Sequence, residues 1–249
     1  SLVMYFVIKS FNRTIALISL PLSLLVFSTP PSTGFLWGHW PSLLSQAFLI
    51  FFFWSITKLN LNKSYFLIAV PLSAMALTHM PPFIFGFIFL TLFFGIKILA
   101  KKLNKDDVKK IVLSLTVFFI LSFYYLVIFY NTWAKAQPYI FSVQPIWEGN
   151  PGFYIMGFGL LLIPMLIGLI LSFSKLKNIP AALILAFAML LSGFMNYVGF
   201  EVRSFQIRFF WPIYLSVFLG FGLYIIFKLV IKRWNLVYTS ILFIILVFL

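Results

Sequence analysis

The chain has 249 residues, of which 63% are hydrophobic, 21% aromatic and 9% charged, with a mean hydropathy of +1.11 and a formal net charge of +14. Soluble domains carry about a quarter of their residues as charges, so a soluble globular domain is excluded, and the lack of cysteine excludes a disulfide framework and thiolate chemistry. The lysines and arginines cluster between apolar runs instead of interleaving with solvent-facing aromatics, which argues against nucleic acid as a partner.

The apolar runs are close in length to the ~20 residues needed to cross hydrocarbon as a helix. The pattern predicts an all-α, polytopic transmembrane bundle of about nine spans, forming a single domain over residues 1–249. The opening "SLVMYFVIKS" stops at Lys9, too short for a span and without a signal-peptide cleavage pattern. Helices are then expected at about 14–28, 41–56, 65–79, 82–100, 111–130, 153–173, 180–198, 209–231 and 236–249. Pro41, Pro81, Pro82, Pro151 and Pro180 stand where helices start or chains turn. Pro21, Pro71, Pro164 and Pro212 fall inside or near the ends of spans and are expected to kink them. The last run, "LVYTSILFIILVFL", is still apolar at Leu249. With the short first run, it creates the expectation that the sequence is an internal piece of a longer protein.

The connections alternate in charge. Lys9 and Arg13 are followed by an uncharged loop at 29–40, then by Lys58 and Lys63, then by the uncharged turn "THMPP". The loop 101–110, with Lys97 beside it, is densely basic; 131–152 holds only Lys135; Lys175 and Lys177 come next. Arg203 and Arg208 lie in 199–208, and Lys228, Lys232 and Arg233 close the series. Fifteen of the eighteen basic residues thus fall on one side, which the positive-inside rule makes cytoplasmic. The sequons at Asn12 and Asn62 lie on that side and are expected to be unused.

Residues with versatile proton or anion chemistry gather on the other side. In "STPPSTGFLWGHWPSLLSQAF", His39 sits between Trp37 and Trp40. The stretch reads either as an aromatic belt at headgroup depth or as a histidine facing a polar head group, where a protonated imidazole holds phosphate. His79 in "ALTHMPPF" reads as a residue favoured at a helix C-terminus or as a second such group on the same face. Two histidines lack a third ligand at recognisable spacing, so no metal site is predicted. The loop "NTWAKAQPYIFSVQPIWEGNPG" combines Trp133, Tyr139 and Trp147 with Gln137, Gln144, Glu148 and Asn150. That mixture fits an interfacial loop, and equally a sugar, whose C–H face stacks on rings while its hydroxyls meet amides and carboxylates. In "YVGFEVRSFQIRFFWPIYLSVFLGFGLY", Glu201, Arg203 and Arg208 stand at the mouth of a span. An arginine there either snorkels to headgroups or clamps phosphate with two parallel donors, which lysine cannot do.

"RSFQIRFFWPIYLSVFLGFGLY" resembles the late segment of GT-C type membrane glycosyltransferases, in which an arginine, an aromatic and a proline open a span. "GHWPSLLSQAFLIFFFWSI" with "AVPLSAMALTHMPPFIFG" resembles paired spans of that superfamily and of its uncharacterised prokaryotic relatives. The resemblance implies transfer of sugar from a polyprenyl-phosphate-linked donor to an acceptor on the outer face of the cell membrane, by a multi-pass protein. Arg208, and less closely Arg203, would match the basic residue near the lipid phosphate. The family's acidic catalytic residue has no counterpart in this stretch, which leaves Glu148 and Glu201 as candidate bases. Any divalent metal would need ligands from outside it. His39, His79 and Trp147 would line the pocket rim. The alternatives are a transporter or lipid flippase, which normally shows ionisable residues near mid-span, and a non-catalytic scaffold subunit.

Overall fold

The computed structural model describes residues 2–23, 40–60, 64–135, 150–198 and 207–231. These residues are helical, with no strand among them. The α-helices are α1 (Leu2–Lys9), α2 (Arg13–Leu22), α3 (Trp40–Thr57), α4 (Ser64–Thr78), α5 (Met80–Leu99) and α6 (Lys105–Lys135), followed by α7 (Pro151–Met156), α8 (Leu162–Phe173), α9 (Ala181–Ser192), α10 (Trp211–Tyr214) and α11 (Ser216–Ile231). Among the described residues three stretches are long and apolar enough to cross a membrane: Trp40–Thr57, Met80–Leu99 and Lys105–Thr132. Four more apolar helices are shorter.

Several expected spans are broken or displaced. The run expected at 153–173 splits into α7, a 3-10 turn at Gly159–Leu161 and α8, because Gly159 takes φ +51, which breaks the helix and which glycine adopts without a Cβ penalty. The run at 180–198 ends as α9 at Ser192 and resumes as a 3-10 turn at Met195–Val198. The run at 209–231 is interrupted at Leu215, between α10 and α11. The basic loop is shorter than 101–110, and the outer connection starts later than residue 131, because α6 runs from Lys105 to Lys135. Asn104 explains the early start: its Oδ1 accepts from the Asp107 amide at 2.6 Å, and Asp106 and Asp107 occupy the first turn, where the helix dipole favours negative charge. The short first run is helical, as α1, with Met4, Val7 and Ile8 buried. The expected span at 236–249 lies outside the described residues.

One continuous apolar core runs through the bundle. The first half of α11, Ser216–Leu223, is buried on every side, and α9 is nearly so. On one face α11 meets α8 backbone to backbone: a Cβ at Gly222 would overlap the Pro164 carbonyl, and one at Gly168 would overlap the Phe218 carbonyl. On its other face Gly220 lies against Ser19 of α2. Small residues at such crossings let helices approach closely enough for dispersion to hold them. By contrast α6 packs on α4 and buries only a narrow stripe of Asp107, Ser114, Phe118 and Ser122. Its other faces expose Phe119, Ile120, Leu121, Phe123 and Tyr124, clustered apolar surface of the kind that meets lipid or another protein.

The two ends of the bundle differ in chemistry. At one, Lys102 Nζ donates to the Lys177 carbonyl at 2.9 Å and Lys110 Nζ to the Leu59 carbonyl at 3.0 Å. These bonds tie together the α3–α4, α5–α6 and α8–α9 connections, all of them lysine-bearing. The antiparallel course of the helices carries His79, Tyr154, Gly193 and Arg208 to the opposite end.

Candidate functional site

Arg208 is the centre of the lysine-poor end. It is 1% exposed, among the largest fully buried side chains described. Its Nε donates to the Gly193 carbonyl at 2.6 Å, an Nη donates to Asn196 Oδ1, and the guanidinium lies 5.8 Å from the Tyr154 ring centroid. Three segments therefore converge on one cation: α7 through Tyr154, the turn after α9 through Gly193 and Asn196, and the approach to α10 through Arg208 itself. Burial draws the Arg208 pKa below its ordinary value, with Tyr154 and Tyr197 acting in the opposite sense. A guanidinium nevertheless stays protonated in proteins.

Local sequence explains why the segments stop where they do. Asn150 caps α7 by accepting from the Gly152 amide at 2.9 Å, and Pro151 supplies the preset first turn. At Gly193 a Cβ would overlap the Trp211 ring, so glycine lets the end of α9 lie flat on the indole. Trp211 is fully buried, donates through Nε1 to the Met189 carbonyl at 3.0 Å, and packs against Phe194 and Tyr154 at ring-centroid separations of 5.6 and 6.4 Å. The arginine thus lies beside Tyr154, whose ring in turn packs against Phe209 and Trp211, with Phe194 packed against the same indole.

The structure folds the Arg208 guanidinium inward onto a backbone carbonyl and a side-chain amide.

His79 belongs to a different junction at the same end. It is half-buried and takes the N-cap position of α5, ahead of Pro81 and Pro82, without its ring capping the helix. Its carbonyl accepts from Ser45 Oγ at 3.1 Å, which fastens the start of α3 to the end of α4. Beside this junction Trp40, Pro41, Leu43, Leu44 and Thr78 line an open apolar cleft. His39, Trp147, Glu148, Glu201 and Arg203 lie outside the described residues. Among the described residues no group of three histidine or acidic side chains gathers as a metal site would require.

A second polar contact escaped the sequence reading. Gln46 of α3, 1% exposed, accepts through Oε1 from the Tyr214 hydroxyl of α10, and its Nε2 has no hydrogen-bond partner among the described residues. Tyr214 is fully buried and lies edge-on to Phe53 at 6.1 Å. A lone glutamine in the apolar run "LLSQAFLIFFF" was the available signal. Asn196, in "GFMNYVGF", was the corresponding one for the arginine.

No protein family, no curated protein and no solved structure matches this chain.

Proposed function

We propose that this chain is a multi-pass protein of about nine spans in the cell membrane, and that it transfers sugar from a polyprenyl-phosphate-linked donor to an acceptor on the face opposite the lysine-rich end. The observation that carries the reading is a guanidinium buried beside the Tyr154 ring at the lysine-poor end. Glycosyl transfer from a lipid phosphate builds negative charge on the departing phosphate, and a fixed cation in a poorly hydrated site stabilises that charge far more than one in water. Arg208 forms the floor of this site and holds its geometry. Arg203 and Glu201, on the loop leading to it, meet the phosphate and act as base, with Glu148 the other candidate base. His39, His79 and Trp147 line the rim where sugar and acceptor enter.

The test is transfer of labelled sugar from a polyprenyl-phosphate donor by membranes containing the full-length protein. Arg208→Gln keeps an amide donor for the Gly193 carbonyl but removes the charge. Transfer is expected to fall by about 100-fold, the scale of a lost electrostatic donor, while detergent-solubilised protein stays monodisperse. Transfer by Arg203→Ala is expected to fall as well. Full transfer by both variants would remove the arginines from the mechanism, and lipid translocation without sugar transfer would assign the protein to the flippases.

A further inference from the structure

The lysine-rich end carries a charged ledge that the proposed transfer chemistry does not use. Lys97, Lys101, Lys102, Lys105, Lys109 and Lys110 come from the α5–α6 connection and its flanks, and Lys175 and Lys177 from the α8–α9 connection. The bond from Lys102 to the Lys177 carbonyl makes the two connections one surface. Only two carboxylates occur among the described residues, and both are already engaged: Asp107 with Lys97 at 2.6 Å, and Asp106 with Lys110 at 2.7 Å. Lys101, Lys102, Lys105, Lys109, Lys175 and Lys177 are all exposed, so the ledge presents six ammonium groups that these acids leave uncompensated.

Backbone conformation adds an independent observation. The turn ending α5 has Lys102 N–H bonded to the Lys97 carbonyl and Lys101 N–H to the Ile98 carbonyl, both at 2.9 Å, with Lys101 at φ +53. This is the Schellman closure, whose left-handed position usually belongs to glycine. A lysine there accepts backbone strain that glycine would avoid, and adds a charge to the ledge at that position.

We propose that this ledge is a docking surface for the phosphate headgroups of anionic phospholipids in the leaflet next to it. Charge complementarity is one argument. Position is the other: the α5–α6 connection joins two helices long enough to span a bilayer, which puts its lysines at the depth where headgroup phosphates lie. Clustered lysines attract anionic lipid additively, and the attraction weakens with salt. The inference is independent of sugar transfer.

The experiment titrates solubilised full-length protein with phosphatidylglycerol or phosphatidylcholine and counts bound lipid by native mass spectrometry. Wild-type protein is expected to prefer the anionic lipid by about fivefold or more. A variant carrying Lys101→Gly, Lys105→Gln, Lys109→Gln, Lys175→Gln and Lys177→Gln leaves Lys97, Lys102 and Lys110 to hold the loops. Its preference is expected to fall to about one, with an unchanged melting temperature in phosphatidylcholine nanodiscs. Lys101→Gly alone installs the residue the turn favours, so misfolding does not explain a loss; it is expected to lower the preference by about twofold. Equal binding of the two lipids by the wild type, or an undiminished preference in the fivefold variant, overturns the proposal. So does displacement of phosphatidylglycerol by soluble pyrophosphate at equal phosphate concentration, which would give the surface to a soluble anion.

Discussion

Arg208 Nε donates to the carbonyl of Gly193, fifteen residues earlier in the chain, at 2.6 Å. The bond takes up an orphan carbonyl in the turn after α9 and, through Asn196 on the same guanidinium, fixes the 3-10 turn that follows. Arg208→Lys keeps the charge but offers one point donor where the fork now serves two acceptors. It is expected to destabilise the protein by about 1–3 kcal/mol, the scale of a buried polar group left unsatisfied. Thermal unfolding in detergent measures this, and a melting temperature equal to wild type would show that the fork is dispensable.

Gly193 tests the same junction from the other side. Gly193→Ala drives a methyl into the Trp211 ring, and is expected to lose about 1–3 kcal/mol through overpacking. Gly95→Ala is the control, since a Cβ there meets nothing within 4 Å inside α5. It is expected to be neutral or to gain up to about 1 kcal/mol from helix propensity. Reversed signs for the two variants would contradict the packing described.

The crossing of α8 and α11 is less forgiving, because the obstruction at Gly222 is the Pro164 carbonyl, not a side chain that can swing away. Gly222→Ala is therefore expected to destabilise more than Gly193→Ala, with reduced yield of monodisperse protein as the simplest readout.

Gln46 and Tyr214 form a pair separated by 168 positions in the chain. Tyr214→Phe strips the glutamine of this partner and is expected to cost about 1–3 kcal/mol. Adding Gln46→Leu removes the stranded amide, so the double variant is expected to be more stable than Tyr214→Phe alone. A double-mutant cycle with zero coupling would dismiss the contact.

Asp107 is 3% exposed and rests on Lys97. Lys97→Met leaves that carboxylate buried without the ammonium and is expected to cost about 1–3 kcal/mol. Combining it with Asp107→Asn should recover part of the loss, as measured by the melting temperature of the three variants.

Much of the helical layout was legible in hydropathy. The expected helices at 41–56 and 65–79 lie within a residue of α3 and α4, because proline and polar residues mark their ends. The interruptions at Gly159, Gly193 and Leu215 were not legible, since the flanking residues are as apolar as a continuous span requires. Gly193 lies in close contact with an indole eighteen positions further on, a tertiary fact. The early start of α6 was written locally in Asn104, Asp106 and Asp107, but six surrounding lysines read as a loop. Arg208 stood out in the sequence as an arginine where the other side uses lysine. Its inward fold could not be foreseen, because the acceptors at Gly193 and Asn196 are brought to it only by α9 doubling back.

Where Gly168 and Gly222 allow two backbones to touch, no side-chain cushion remains to be rearranged. Contact this close resists rotation of one helix against the other, so the pair is expected to move as a single strut. Relative motion of helices is therefore expected elsewhere in the molecule, where large rings rather than backbones meet, as they do between Phe83 and Phe118.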